Sequence, residues 1–144
     1  MRHSIAHCAL CLAILCHSGL PAAAQEERVY QSARALSGKE VRLALFGRVD
    51  AKECKPLQLP DIQVIAPPKS GALTIRVVTI TTTRYPNCPN LKLPAQVIFY
   101  RSAPDYIGSD SISFTVTFEN GQKQAHSFAI TVTKEGQPST AQDL

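Results

Sequence analysis

The clearest structural signal in the chain is the stretch Ile112-Ser113-Phe114-Thr115-Val116-Thr117-Phe118, in which large apolar and small polar residues alternate without a break. A period of two is the pattern of a strand with one buried face. A second alternating stretch, Phe128-Ala129-Ile130-Thr131-Val132, follows after Asn120-Gly121. Together they predict an antiparallel hairpin whose two apolar stripes contribute to one core.

The register of this hairpin can be argued from the same alternation. A plain two-residue turn at Asn120-Gly121 would place the two apolar stripes on opposite faces. We therefore expect a shift of one residue, with Glu119 opposite Lys123. That register sets Phe114 opposite Phe128 and brings both stripes onto one face. Burial of each large apolar side chain contributes about 1.5–3 kcal/mol, which outweighs a turn preference. The sequence predicts a three- or five-residue loop, or a bulge.

Four further runs upstream also have the character of strands. They lie at residues 40–45, 62–65, 73–77 and 96–100, and proline, glycine and asparagine separate them. The apolar parity changes from Val77 to Val78, which predicts either a β-bulge there or a crossing to another sheet. Six or seven short strands without a helical crossover indicate an antiparallel β-sandwich, so we expect an all-β fold.

The two ends of the chain differ in texture from this β-rich region. Residues 26–36 could form one or two helical turns or part of a flexible lead-in, and we assign residues 25–38 to a flexible lead-in. Residues 39–134 are expected to form one sandwich domain, because a chain of this length supports one core. Residues 135–144 are polar and are expected to be a disordered tail.

The first 24 residues read as a signal peptide. Arg2 and His3 make a basic start, residues 5–16 are largely apolar, and Pro21-Ala22-Ala23-Ala24 offers small residues to a signal peptidase. The apolar run is shorter than the roughly 20 residues that a bilayer requires, so cleavage after Ala24 is favoured over a retained membrane anchor. We expect a periplasmic or secreted protein with no membrane span after cleavage.

Cleavage would leave two of the five cysteines, Cys54 and Cys88, and one histidine, His126. Two cysteines in one small exported domain predict a disulfide, which would stabilise the fold by about 3–4 kcal/mol. The alternative is a metal site made by the same two cysteines and His126. Zinc ligands usually come in closely spaced pairs, and no two of these residues are close in sequence.

Charge and motifs exclude several functions. The formal net charge is +4, but the basic residues are scattered singly, so no nucleic-acid partner is expected. The sequence contains no G-x-S-x-G, S-x-x-K or H-E-x-x-H motif and no glycine-rich loop that opens a helix. In the expected register His126 shares the face of Phe128, which favours a residue at the edge of the core over a catalytic base. We assign no catalytic residue, no metal and no cofactor.

Three stretches resemble bacterial immunoglobulin-like, cadherin-like domains. Pro68-Lys69-Ser70-Gly71-Ala72-Leu73-Thr74-Ile75 has their P-x-x-G-x-hydrophobic element. Val97-Ile98-Phe99-Tyr100 followed by residues 104–116 is similar to their Y-x-P…F-x-G-x-D-S-F-x-F-x-V run, and residues 120–132 are similar to their closing hairpin. The resemblance covers about residues 62–132 and implies an immunoglobulin-like β-sandwich of about seven strands with Greek-key connections and, here, one disulfide.

The chain also resembles small exported proteins of α-proteobacteria that carry one such domain and a cysteine pair at similar places, and whose function is unassigned. It differs from large adhesins because it has one domain and no tandem array. A role as a stalk therefore transfers poorly to this chain.

Two groups of residues are candidates for sites. Asp105 and Asp110 flank Gly108 and could contribute to a calcium site, although calcium requires six or more oxygen ligands. The alternative is a structural turn, with Gly108 at positive φ and Asp110 bonded to backbone amides two residues on. The second group is the proline-rich loop with Tyr85, Asn87 and Asn90, which is a candidate for binding or an ordinary exposed loop.

These observations favour a non-enzymatic exported module that binds another envelope or extracellular macromolecule, with an unknown protein or envelope component as partner. Exposed edge strands and end loops of a sandwich suit that role. A calcium-stabilised structural module and an enzyme with an unrecognised site are the alternatives.

Overall fold

Strands make up most of the described part of the chain. A computed structural model describes residues 26–136, so the predicted signal peptide and residues 137–144 of the predicted tail lie outside the described residues. Between residues 26 and 136 there is no helix that is long and apolar enough to span a membrane. The strands are β1 (Glu27–Leu36), β2 (Glu40–Phe46), β3 (Val49–Asp50), β4 (Lys55–Pro56), β5 (Asp61–Ala66), β6 (Gly71–Thr82), β7 (Leu91–Ser102), β8 (Gly108–Thr117) and β9 (Lys123–Thr133).

The strands form two main sheets. One has four strands in the order β1-β9-β8-β5, and the other has three in the order β2-β7-β6. β3 and β4 form a small ladder of their own. All strand pairs are antiparallel except β1 with β9, which is parallel. The prediction of an all-β fold with antiparallel sheets is confirmed.

Apolar side chains from both main sheets share one core. Every second side chain of β8 and β9 points inward, because side chains alternate between the two faces of a strand. β7 contributes apolar side chains to the same core from the facing sheet. The buried core residues are Ala35, Phe46, Ile98, Tyr100, Ile112, Phe114, Val116, Phe128, Ile130 and Val132.

β1 corrects the prediction of a flexible lead-in at residues 25–38. All ten residues of β1 pair with β9, from Glu27 with Gln124 to Leu36 with Thr133. Ala33 and Ala35 pack against the core. Their side chains are too small to produce a strong apolar pattern, so backbone pairing with β9 is what makes this segment a strand.

Five residues lie between β8 and β9, but Phe118 and Gln122 extend the pairing, so the loop itself has three residues, 119–121, which is one of the predicted alternatives. The backbone N–H of Phe118 donates to the carbonyl of Gln122 at 2.9 Å, and the N–H of Gly121 donates to the carbonyl of Phe118 at 2.8 Å. Gly121 has a φ of 79°. A left-handed residue at the third position is typical of three-residue hairpin loops.

The predicted register of this hairpin is wrong by two residues, although its parity is right. Phe114 pairs with His126, and Phe128 pairs with Ile112. Glu119 does not face Lys123, which pairs with Thr117. A slip of two residues keeps every side chain on its own face, so both apolar stripes still reach the core.

β6 contains no bulge where the sequence predicted one. It pairs with β7 in one unbroken register from Gly71 with Ser102 to Thr82 with Leu91. The strand also stays in one sheet throughout. The change of apolar parity at residues 77–78 therefore needs another explanation.

The explanation is that β7 buries opposite faces at its two ends. Ile98 and Tyr100 are completely buried in the main core. Leu93 and Ala95 have the opposite parity and are also buried. Gly47 covers them so closely that a Cβ on it would lie 3.0 Å from the Leu93 side chain. The residues of β6 that follow the parity change pair with Leu93 and Ala95 and contribute to this second apolar layer.

Candidate functional site

The predicted disulfide between Cys54 and Cys88 is present. The two Cα atoms are 5.5 Å apart, and the bridge spans 34 positions of sequence. Cys88 is buried, and its bridge joins the loop between β6 and β7 to the residue before β4. The alternative of a metal site with His126 is wrong, because each sulfur is bonded to the other.

The disulfide holds the loop of residues 83–90, which contains the candidate binding residues Tyr85, Asn87 and Asn90. The N–H of Cys88 donates to the carbonyl of Tyr85 at 2.9 Å, which closes a turn. Asn87 and Asn90 are exposed and Tyr85 is half-buried. Asn90 directly precedes β7 and has a φ of 52°, a left-handed conformation that asparagine tolerates better than most residues. A binding role for the loop stays a prediction.

Two depressions meet beside this loop. We name the first the Tyr85 pocket; it has a volume of about 240 Å³ and is lined by Leu45, Gly47, Ile80, Thr82, Arg84, Tyr85 and Leu93. We name the second the β2 groove; it has a volume of about 520 Å³ and is lined by Gln31, Arg42, Leu43, Ala44, Leu45, Phe46, Arg84 and His126. Leu45 and Arg84 belong to both, so the two depressions are adjacent.

The β2 groove carries unbalanced positive charge. Arg42 and Arg84 are exposed and form no salt bridge with any residue of the described chain. No acidic residue lines either depression. The depression at the other end of the molecule differs, because Asp105 and Glu135 line it together with Lys39 and Lys134.

The groove follows the edge of a sheet. β2 pairs with β7 on one side and with no strand of the described residues on the other. A bulge lies between Arg42 and Ala44. Edge strands present backbone N–H and C=O groups that can pair with another chain, and bulges are common next to functional sites.

His126 forms part of the inner side of the groove and is 7% exposed. Its ring stacks on Phe114 at 5.1 Å and meets Phe46 edge-on at 5.2 Å. Burial lowers the pKa of His126, and the charge of Glu27 opposes this shift in part. The lowered pKa favours the neutral form of the ring. Its Nε2 lies 3.4 Å from Oε1 of Gln124, while its buried Nδ1 has no hydrogen-bond partner among the described residues.

Asp110 is a buried carboxylate surrounded by donors. Its Oδ1 accepts hydrogen bonds from the N–H of Lys69 at 2.9 Å and of Ser111 at 2.8 Å. Its Oδ2 accepts from the N–H of Ser70 at 3.0 Å and from the hydroxyl of Tyr100 at 3.1 Å. Burial alone would raise the pKa of Asp110, but these four hydrogen bonds outweigh it and the pKa is lowered. The sequence predicted bonds to amides two residues on, whereas the local amide that Asp110 accepts from is that of Ser111, the next residue.

The structure separates the roles of the two calcium candidates. Asp110 directs both oxygens at donors, whereas Asp105 lies in the turn after β7 with a φ of 60°. No group of three His, Cys, Asp or Glu residues within positions 26–136 is arranged to hold a metal ion. Gly108 has the expected positive φ, and a Cβ there would lie 3.1 Å from the hydroxyl of Tyr106.

The arginines of the β2 groove were not predicted from the sequence. In the sequence, Arg42 occupies an outward-facing position of an alternating strand. Arg84 is one of several basic residues that are scattered singly along the chain. Arg84 does directly precede Tyr85, so the candidate loop was the one sequence signal near the groove. That β2 is an edge strand follows from sheet order alone, which local sequence does not contain.

No protein-family model matches the chain, and no curated protein matches it. Among solved structures, a 2,6-sialyltransferase from Photobacterium sp. is 12% identical with a TM-score of 0.37. The match covers 76% of this chain and 18% of that one, so the chain spans about a fifth of the sialyltransferase's length. The solution structure of amebosin is 8% identical with a TM-score of 0.40, over 76% of this chain and 99% of that one. Neither likeness is close enough to carry an argument.

Proposed function

We propose that the chain is an exported, non-enzymatic binding module with an immunoglobulin-like fold. The strand order supports the fold. In the seven-stranded immunoglobulin pattern one sheet contains the order B-E-D and the other contains the C, F and G strands. Here β2-β7-β6 takes the place of the first, and β5-β8-β9 takes the place of the second.

The contacts of Asp110 also support this fold. They join the P-x-x-G element at residues 68–71 to Tyr100 and to the strand that follows Gly108. A Cβ on Gly71 would lie 2.5 Å from the carbonyl oxygen of Arg101, so the glycine is required where this turn meets β7. The elements of the resemblance thus serve one structural purpose in this chain, which argues for a scaffold role and not for a catalytic one.

Export is supported by the disulfide and by the character of the first 24 residues. A disulfide persists in oxidising compartments such as the periplasm or the extracellular space. Sequencing the amino terminus of the protein recovered from a cell envelope fraction tests this part. We expect it to begin at Gln25, and an uncleaved amino terminus would contradict the proposal.

The binding role rests on one observation: the positively charged β2 groove and the Tyr85 pocket meet beside a loop that the disulfide holds in place. Loops carried on a rigid sandwich are common sites of recognition. The partner we propose is a protein or another component of the cell envelope.

Site-specific photocrosslinking tests the binding role. A photoreactive residue replaces Asn87 in the candidate loop, and the matched control carries it at Asp105, at the other end of the molecule. After exposure to an envelope extract we expect a discrete adduct from position 87 and none from position 105. Adducts of equal yield at both positions, or none at either, would contradict the proposal.

A further inference from the structure

We infer that the β2 groove and the Tyr85 pocket bind an extended acidic segment of a partner protein, which lies alongside β2. This inference rests on the proposed binding function and names the chemistry of the partner. Four features of the described residues support it: unbalanced charge, a free strand edge, an apolar pocket and an unpartnered buried nitrogen.

The charge identifies the sign of the ligand. Arg42 and Arg84 face the groove region without a carboxylate partner in the described chain, and no acidic residue lines the two depressions. Guanidinium groups bind carboxylates with paired hydrogen bonds, so two arginines suit two acidic side chains. The groove therefore favours an anionic ligand.

The strand edge favours a polypeptide over a compact anion. Five consecutive residues of β2, 42–46, line the groove, and a stretch of that length extends about 16 Å at about 3.3 Å per residue. Because β2 has no strand on this side in the described chain, its backbone can pair with an added strand. The bulge after Arg42 interrupts the strand near one end, so we expect pairing to concentrate on residues 44–46.

The Tyr85 pocket favours a segment that also carries apolar side chains. Leu45, Ile80 and Leu93 line this pocket, and Arg84 stands at its junction with the groove. Alternate side chains of an extended strand point to opposite sides, so an acidic residue and an apolar neighbour can be accommodated by different parts of the site. A polyanionic polysaccharide or a lipid headgroup has no side chains of this kind.

His126 lines the groove and carries a buried ring nitrogen that has no partner among the described residues. This nitrogen is Nδ1, and the residue as a whole is 7% exposed. Buried polar atoms in folded proteins are nearly always paired, so an unpaired one beside a groove is consistent with a partner supplied from outside. Gln31 adds an amide on the same groove.

Fluorescence anisotropy tests the inference with a labelled peptide in which glutamate and leucine alternate. We expect the purified protein to bind it, and the double variant Arg42→Glu/Arg84→Glu to weaken binding by about tenfold or more, since reversing charges at an interface opposes association. The matched control is Lys39→Glu/Lys134→Glu, which makes the same charge change at the opposite depression and should leave binding unchanged. Circular dichroism and urea unfolding verify that both double variants fold.

Two further probes separate the alternatives. A glutamate–serine peptide should bind less tightly than the glutamate–leucine peptide, because it cannot fill the Tyr85 pocket. Heparin and vesicles containing phosphatidylglycerol test the other anions. If either of them binds through Arg42 and Arg84 and the peptide does not, the inference is overturned.

The outcomes also distinguish this inference from the proposed function. If the acidic peptide fails to bind while position 87 still gives a discrete crosslinked partner, the inference is wrong and the binding function stands. If the Arg42→Glu/Arg84→Glu variant binds the peptide as tightly as the parent protein, the site assignment is wrong. Failure of both the peptide and the crosslink overturns both proposals.

Discussion

Asp110 shows how one buried residue can join parts of the chain that are distant in sequence. Lys69 and Ser70, whose amides it binds, precede it by about 40 positions, and Tyr100 precedes it by 10. Hydrogen bonds to a charged acceptor contribute about 1.5–3 kcal/mol each, and a buried donor left without a partner costs about 1–3 kcal/mol. The carboxylate is therefore matched to its four donors.

Asp110→Asn tests this role. The amide oxygen can replace one carboxylate oxygen, but the amide nitrogen would meet two donors, the N–H of Ser70 and the hydroxyl of Tyr100, or their counterparts on the other side. We expect the free energy of unfolding to fall by about 2–4 kcal/mol. Urea unfolding at pH 7 measures it.

Asp105→Asn is the matched control for this substitution. Asp105 has a φ of 60°, a conformation that asparagine also tolerates, and its side chain is exposed. We expect its stability to change by less than about 0.5 kcal/mol. An effect of equal size at both positions would contradict the special role of Asp110.

Gly71 is the second residue on which this corner depends. A Cβ there would lie 2.5 Å from the carbonyl oxygen of Arg101 and 2.6 Å from the ring of Tyr100. Gly71→Ala should destabilise the protein by about 1–3 kcal/mol, because neither a paired backbone nor a buried ring can move away easily. Ala72→Val adds more volume at the next, exposed position of β6 and should have little effect. Thermal melts of the two variants decide the matter, and equal melting temperatures would refute the steric argument.

At the scale of the strand, alternation of apolar and polar residues predicts which face of a strand is buried better than it predicts which residues pair across the sheet. The shared face of β8 and β9 followed from the apolar stripes, and so did a connection other than a plain two-residue turn. The pairing of Phe114 with Phe128 did not hold, because pairing it with His126 keeps the same faces and differs in packing alone. His126 stacks on Phe114 almost in parallel, and sequence alternation carries no information about that contact.

Other elements were missed because their stability comes from contacts distant in sequence. β1 has few large apolar residues and is a strand because β9 pairs with it. β6 carries its apolar residues on two faces because a second layer, around Gly47, covers the far end of β7. For the same reason the sequence indicated the Tyr85 loop but not the groove, whose arginines lie on β2 and before Tyr85 and meet only in the folded chain.

The disulfide tethers the loop between β6 and β7, and the double variant Cys54→Ala/Cys88→Ala tests its contribution to stability. Loss of a bridge across 34 positions should lower the free energy of unfolding by about 3–4 kcal/mol, chiefly by enlarging the unfolded ensemble. Reduction of the parent protein with dithiothreitol should produce a similar loss, which controls for the effect of removing two sulfur atoms. Quantitative reaction of both thiols in the folded, unreduced protein would refute the bridge.

At the scale of the whole molecule, the two ends of the sheets are held by different chemistry. β7 runs from the disulfide-tethered loop at Leu91 to the turn after Ser102, near the corner that Asp110 organises. One end therefore depends on a covalent bond and the other on an ionised carboxylate. The groove lies toward the covalent end, so reduction of the disulfide and protonation of Asp110 are expected to weaken different parts of the fold.

Below pH 8, the pH dependence of global stability follows from two buried ionisable groups, His126 and Asp110. The pKa of His126 is lowered from its ordinary value of 6.5, chiefly by burial, so the unfolded state binds a proton more readily than the folded state does. The stability that depends on a neutral His126 is fully present above pH 6.5. It decreases as the pH falls from 6.5 through the pKa that His126 has in the folded state. Burial alone would raise the pKa of Asp110, but its hydrogen bonds lower the pKa below the ordinary value of 3.8. The contribution of Asp110 to the free energy of unfolding is therefore present above about pH 3.8 and is lost as the pH falls below it.

We therefore expect urea unfolding between pH 8 and pH 2 to show two separate losses of stability, one beginning near pH 6.5 and one below pH 3.8. His126→Phe preserves an aromatic ring against Phe114 and should abolish the first loss while leaving the second in place. Asp110→Asn should do the reverse, since a neutral amide has no proton to gain. The other histidines of the chain lie in residues 1–25 and are common to all three proteins. A first loss that persists in His126→Phe would show that another group titrates in this range and would remove His126 from the account.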